Sequence, residues 1–255
     1  MGSGSYKTRV LVIRKKALRE SDLILDALQE DGSLVSFVAK GARKPTNPFA
    51  SRLELFSVAD VCMARGRNLD IVKEARLVDS NERLRTDIDA SAVASPIAEA
   101  LRRCAQKDLE VPHLFEMSRS ALLHLDSCER QCMPAITAAA LLKLLAFLGM
   151  RPSFNRCTVC GTPIDLNAVP SVRFSYESGG AVCFSCVRTL QTISLPSSTC
   201  AWCNALMMMT FDTIVHEQID TNTGFAVLDI CRHWFREQLN MKLVSLDCLA
   251  SWGLF

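Results

Sequence analysis

Two Cys-x-x-Cys pairs, Cys157 with Cys160 and Cys183 with Cys186, stand at the ends of a polar stretch that contains Pro163, Gly179 and Gly180. One such pair aims two sulfurs at a single point from one short turn. Two of them supply what a tetrahedral Zn²⁺ site bound by four thiolates requires. Gly161 directly follows the first pair, where a residue without Cβ lets the turn tighten and lets backbone N–H groups approach the sulfurs. RFSYESGGAVCF then reads as a hairpin, bent at Gly179 and Gly180, that delivers the second pair. The gap, residues 161–182, slightly exceeds the usual spacing but is easily looped. The pattern is that of a zinc ribbon.

The sequence holds 12 cysteines in 255 residues, too few for a disulfide scaffold, and nothing at the N-terminus resembles an export signal, so the thiols are expected to stay reduced. CAWC adds a third pair, Cys200 and Cys203. It opens a helically periodic run rich in Leu and Met, and so reads first as two core thiols. Ligation by the pairs 183/186 and 200/203 stays open as the alternative. Cys62, Cys104, Cys128, Cys132, Cys231 and Cys248 are scattered and read as small buried residues. A catalytic zinc keeps an open position and usually has a His or carboxylate ligand. None of His113, His124, His216 and His233 lies in the insert, so a structural Zn²⁺ is expected. A zinc-dependent nucleic-acid-processing enzyme or a thiol redox protein is the rival reading.

The first eighty residues read as strands: TRVLVIR, SDLILDAL, SLVSFVAKG after the Asp-Gly turn in EDGS, RLELFSVADVCMA, and LDIVKEARLV after RGRN. Five short strands suit a small closed barrel, because closure removes edges that so small a sheet could not protect. An OB-fold leads, with an SH3-like barrel as the structural rival. From about residue 88 the apolar period becomes helical. Val93, Ile97, Leu101 and Cys104 share a face in a helix expected to start near Pro96, and a second helix is expected from Pro112. PAITAAALLKLLAFLG is apolar nearly all round, ends at Gly149, and reads as the centre of a bundle. SSTCAWCNALMMMTF, with Ser or Thr available as N-cap, and GFAVLDICRHWFREQL add two helices. The expected fold is α+β and multidomain: an N-terminal OB-fold β-barrel (5–80), then an α-helical domain (81–150 and 191–255) with an inserted four-cysteine zinc module (151–190). Residues 1–4, MGSG, read as an appended leader.

Charge is polarised along the chain: residues 1–80 carry 14 Lys and Arg against 10 Asp and Glu, and residues 191–255 carry 3 against 6. Such asymmetry can orient a protein on a polyanion. The stretch KGARKPTNPFASR holds Lys40, Arg43, Lys44 and Arg52 and no acid, and Pro45 and Pro48 keep it out of regular pairing. Arg65 and Arg67 in a neighbouring turn, and Arg14, Lys15 and Lys16 after the first strand, extend the set. Cations grouped on loops of a barrel suit phosphate contacts. Phe49 is placed either to stack on a base or to pin its loop. Aromatic residues are sparse in the barrel, so binding is expected to lean on the backbone, with little sequence preference and strong salt dependence. No Walker loop, GxSxG or HExxH is present. Lys143 interrupts the most apolar run, and a cytoplasmic protein without a membrane span is expected.

VLVIRKKALRESDLILDAL followed by EDGSLVSFVAKGARKP, with Glu20-Ser21-Asp22 and Ala39 to Pro45 as its recurring elements, resembles the bacterial recombination and repair mediator family RecO. LLKLLAFLGMRPSFNRCTVCG, through Gly149 and Pro152, GGAVCFSC and the closing LNMKLVSLDCL extend the resemblance over nearly the whole chain. It implies a nucleoid-associated, non-enzymatic protein that binds single- and double-stranded DNA and anneals strands coated by the single-stranded-DNA-binding protein SSB. It also implies action with RecR to help load RecA. Carried to this chain, Lys40, Arg43, Lys44 and Arg52 contact phosphates, with Arg14, Arg65 and Arg67 in support. The acidic C-terminal tail of SSB is expected on a basic-rimmed apolar groove of the helical domain. The extra CAWC pair and MMMTF depart from the family pattern.

Overall fold

The computed structural model describes residues 4–251, so residues 1–3, where most of the expected leader falls, and residues 252–255 lie outside it. Packing divides the chain into two compact units between Ser127 and Cys128. The change from strand to helix near residue 80 therefore does not coincide with the break in packing.

The first unit opens with β1 (Ser5–Ala17), β2 (Leu23–Gln29), β3 (Leu34–Ala39), a helical turn α1 (Phe49–Arg52), β4 (Val58–Ala64) and β5 (Asp70–Asp79). The strands close into a barrel in the order β1-β2-β3-β5-β4. β5 lies parallel to β3 through Phe37–Asp70 and Val38–Ile71, and the other pairings are antiparallel. A fifth strand inserted in parallel beside the third is the OB-fold order, which removes the SH3-like rival. Val10, Val12, Leu25, Ala27, Phe37 and Val61 fill the interior. Leu11 and Ile13, on the opposite face of β1, are buried as well. That second apolar face explains the unbroken run VLVI: α3 (Ile88–Cys104), which follows the short α2 (Arg83–Thr86), packs on β1 and β2. α4 (Leu114–Ser127) completes the unit.

Three expectations change here. The fourth strand is shorter than RLELFSVADVCMA, because Phe56 adopts a φ of 67° and turns the chain ahead of Val58. Pro96 lies inside α3 rather than at its start. Asp87 caps the helix well upstream of that point by accepting from the N–H groups of Asp89 and Ala90, and the buried stripe Val93, Ile97, Leu101 holds it across the proline. Pro112 precedes α4 by two residues, separated from it by His113 at a φ of 65°.

The Asp31-Gly32 hairpin forms as read. Gly32 has a φ of 85°, and the Asp31 carboxylate accepts from the Ser33 amide at 2.8 Å. A Cβ at Gly32 would lie 2.2 Å from the Val111 carbonyl oxygen, so no side chain fits.

The second unit is built on α5 (Met133–Phe147), whose residues from Met133 to Leu142 are all buried. The segment Arg130–Phe147 is long and apolar enough to cross a bilayer, contrary to the reading that Lys143 rules this out, but 72% of it is buried inside the fold. Lys143 instead donates to the Met207 carbonyl at 2.8 Å. The metal module contributes β6 (Ser171–Ser175), β7 (Gly180–Val182) and β8 (Ile193–Pro196), ordered β7-β6-β8. α6 (Ser197–Met208), α7 (Phe211–His216), α8 (Thr221–Leu239) and α9 (Val244–Ser251) follow. α8 packs along α5, and at Gly224 a Cβ would lie 2.7 Å from the Ala135 nitrogen. α6 makes no side-chain N-cap; the hydroxyl of Ser197 is buried without a partner.

Candidate metal centre and nucleic-acid surface

Each cysteine pair sits on a tight turn. The Gly161 N–H donates to the Cys157 carbonyl at 2.9 Å with Gly161 at a φ of 74°, and the Cys186 N–H donates to the Cys183 carbonyl at 3.0 Å. The β6–β7 hairpin brings the second turn to the first, locked where Gly180 lies against Ser153 too closely for any Cβ. The sulfurs of Cys157, Cys160, Cys183 and Cys186 consequently lie within 4.8 Å of one another, Cys160 and Cys183 at 3.6 Å. A tetrahedral ion with Zn–S bonds of about 2.3 Å needs sulfurs about 3.8 Å apart, so a small contraction completes the site.

The thiols compete for protons. Hydrogen bonding from the Thr162 hydroxyl and amide and from neighbouring thiols draws Cys160 down to about 6, while thiol hydrogen bonds with Cys183 and Cys160 push Cys186 up to about 12. Burial raises Cys157, but the amides of Cys183, Cys160 and Val159 outweigh it and the net shift is downward. A cation that replaces shared protons relieves this competition. With four thiolates bound, no position is left for water.

Cys200 and Cys203 lie buried in α6, outside this cluster, and burial pushes Cys200 up to about 11. They are core thiols. Cys104, Cys128, Cys132 and Cys231 are buried too, Cys62 is half-buried, and Cys248 is exposed, contrary to expectation, on the outer side of α9.

The barrel cations fall into three places. At one end the β1–β2 turn meets the loop after β3: the Asp22 carboxylate accepts from the Gly41 amide at 2.8 Å, and the Ser21 carbonyl accepts from the Arg43 amide at 2.9 Å. The Arg43 guanidinium donates to the Arg19 carbonyl at 2.9 Å. The Glu20-Ser21-Asp22 and Ala39 to Pro45 elements thus form one structure. Lys40, Arg43 and Lys44 stand exposed on it and make no ion pair among the described residues. Arg14 points to Asp26 at 3.3 Å and Lys15 to Glu54 at 2.6 Å, so both charges are partly offset.

Arg52, on α1, donates to the Ala75 carbonyl and lies on a second feature, a groove of ≈ 750 Å³ on the outer side of β1, β4 and β5. Lys7, Arg9, Lys73 and Arg76 also line it, none of which sequence reasoning singled out; Lys7 and Arg9 share one side of β1, but exposed pairs on β5, Lys73-Glu74 and Arg76-Leu77, break any alternation that could have signalled the others. Asp60 pairs with Arg9 at 2.7 Å and Arg76 at 3.5 Å. Phe49 packs against the barrel core and so pins the loop. Arg65 and Arg67 occupy the β4–β5 turn, where Arg65 covers the Tyr6 ring at 5.2 Å.

The second unit holds a cavity of ≈ 1050 Å³ between the β6–β8 face and α8, floored by Phe174, Leu195 and Phe225. Its charged rim is Glu177, Asp229 and Glu237, with His233 stacked on Tyr176. This apolar recess is acid-rimmed, the opposite of the basic rim expected for an acidic tail.

A five-stranded OB barrel followed by a helical unit with a four-thiol module defines the class. Residues 1–81 match the family model described as Recombination protein O N terminal, and residues 85–247 the one described as Recombination protein O C terminal. DNA repair protein RecO of Desulfitobacterium hafniense (strain DSM 10664 / DCB-2) is 33% identical over 183 residues, 72% of this chain and 65% of the relative. The protein of the same name from Roseiflexus sp. (strain RS-1) is 32% identical over 197 residues, 77% of this chain and 67% of the relative. The match thus spans slightly less than two thirds of the first relative's length. The chain belongs to the RecO family.

Proposed function

We propose that this chain is a DNA-binding mediator of recombinational repair that works without bond chemistry. Its barrel binds single- and double-stranded DNA through Lys40, Arg43 and Lys44, supported by Arg52, Arg65 and Arg67 and, more weakly because of Asp26, by Arg14. The observation that carries this reading is the joined rim, where two segments from different parts of the barrel hold three exposed cations that form no salt bridge among the described residues, Lys40 alone feeling the charge of Asp22. Strand annealing needs two polyanions brought together, and cations that displace condensed counterions lower their repulsion. The four thiols hold a structural Zn²⁺ that supplies folding energy to the module. RecR, SSB through its acidic tail, and RecA indirectly are the protein partners, at a cytoplasmic, nucleoid-associated location. The acid-rimmed cavity directs the search for the SSB site to other surfaces.

Charge reversal at Arg43→Glu and Lys44→Glu tests the reading. Affinity should fall alike for unrelated sequences, and the slope of log K against log salt on single strands should flatten by about 0.7 for each phosphate that is no longer neutralised. Unchanged affinity at low salt would remove the rim from the site. Annealing of SSB-coated complementary strands, with and without RecR, tests the activity itself.

A further inference from the structure

The metal module presents a feature that clamping alone does not use. Each knuckle exposes an apolar side chain between its two cysteines, Val159 at 56% and Phe184 at 86%, and Phe184 is the most exposed large hydrophobic among the described residues. Both are exposed, and each adjoins in sequence one of the sulfurs, Cys160 and Cys183, that lie 3.6 Å apart. Three arginines lie close to the cysteine turns in sequence or strand register. Arg156 precedes Cys157 and reaches across its turn to the Gly161 carbonyl at 2.7 Å. Arg173 lies opposite Val182, the residue before Cys183, and Arg188 follows Cys186 by two residues. All three are exposed and make no ion pair among the described residues.

Four thiolates around a divalent ion carry net negative charge, which accounts for some nearby cations. It does not account for a ring left in water at the tip of a pinned turn. A rigid aromatic face flanked by arginines is the arrangement that stacks an unpaired base and holds its neighbouring phosphates. We propose that the knuckle rim is a second nucleic-acid contact, specific for single strands: Phe184 stacks a base, Val159 borders it, and Arg156, Arg173 and Arg188 take the flanking phosphates. A duplex hides its base faces and gains only the phosphate part. This inference rests on the proposed DNA-binding function and adds to it a device that tells single strands from duplex.

The test uses the full metal-loaded chain and anisotropy titrations with one oligonucleotide, single-stranded and in duplex. Phe184→Ala is expected to weaken single-strand binding by about fivefold or more and to leave duplex binding within about twofold. Phe184→Leu, which keeps apolar bulk without the ring, should weaken it similarly, and Phe184→Tyr should restore it; metal content and Tm are measured for each. Wild-type single-strand affinity in Phe184→Leu overturns the inference while leaving the barrel reading intact. Equal losses on single strand and duplex overturn it as well, as does a loss confined to a protein partner. Failure of the wild-type chain to bind either oligonucleotide overturns both readings.

Discussion

The barrel rim and the metal module both hold short loops in fixed positions, by opposite means. The rim rests on a closed apolar interior, with Val10, Leu25, Phe37 and Met63 fully buried beneath it, and its loops are then tied by a few hydrogen bonds. The module has little interior. Phe154 stacks on Phe174 at 5.4 Å, and Phe174 meets Trp234 of α8 at 6.0 Å, which anchors the sheet. The knuckles beyond have four sulfurs and an exposed Phe184. Charge can therefore be changed at Lys40 or Lys44 without touching what folds the rim, Arg43 alone adding a side-chain tie to the Arg19 carbonyl, whereas the module's chemistry and its folding share the same atoms.

Removal of one sulfur should give the largest effect. Apparent binding energies of structural Zn²⁺ run to about 10–16 kcal/mol at neutral pH, and Cys183→Ser forfeits much of that. Loss of bound metal and proteolysis between residues 151 and 190 are expected, while duplex DNA binding by the barrel survives. Binding must strip the proton from Cys186, held at about 12, so metal affinity should fall as pH falls, and protons should be released on loading in weakly buffered solution. A Cys183→Ser chain that retains one metal per molecule would erase the contrast.

In the barrel the corresponding break is Phe37→Ala. The ring is fully buried at the level where β3 pairs with both β2 and β5, so a cavity there should cost about 3–5 kcal/mol in denaturant unfolding. Metal content should not change. Loss of metal in this variant would show that the two regions are energetically joined.

The readable parts of the molecule were those specified by neighbours in the chain. The Asp31-Gly32 turn, the buried run of β1, the end of α5 at Gly149 and the four-thiol set each follow from local chemistry. What escaped depends on partners far along the sequence. The stripe of Val93, Ile97 and Leu101 is legible, but the barrel strands it packs on, which hold α3 across Pro96, are not. The parallel β3–β5 pairing that distinguishes an OB barrel, the groove of Lys7, Arg9, Lys73 and Arg76, and the acid rim around Phe174 arise only when strands or helices meet. The exposure of Cys248 depends on how α9 is docked, not on its composition. Candidate cations were legible as residues, but their pairing was not: nothing in RKK shows that Asp26 and Glu54 will meet Arg14 and Lys15.

The smallest expected effect tests the tie that makes the rim one surface. The Gly41 amide, at a φ of 67°, donates to Asp22, and that hydrogen bond holds the carboxyl below its usual value. A group whose folded pKa is depressed contributes stability above its unfolded value of about 3.9 and loses it as pH falls through the folded value. The Gly41 amide shift in an NMR titration should therefore report an inflection below about 3.9. In Asp22→Ala that inflection disappears, amide exchange at Gly41 and Arg43 quickens, and duplex affinity falls by less than in the Arg43→Glu, Lys44→Glu variant, because the cations remain and only their placement loosens. If Asp22→Ala leaves exchange at Gly41 unchanged, the two loops are held by the barrel alone, and the rim differs from the metal module even more sharply.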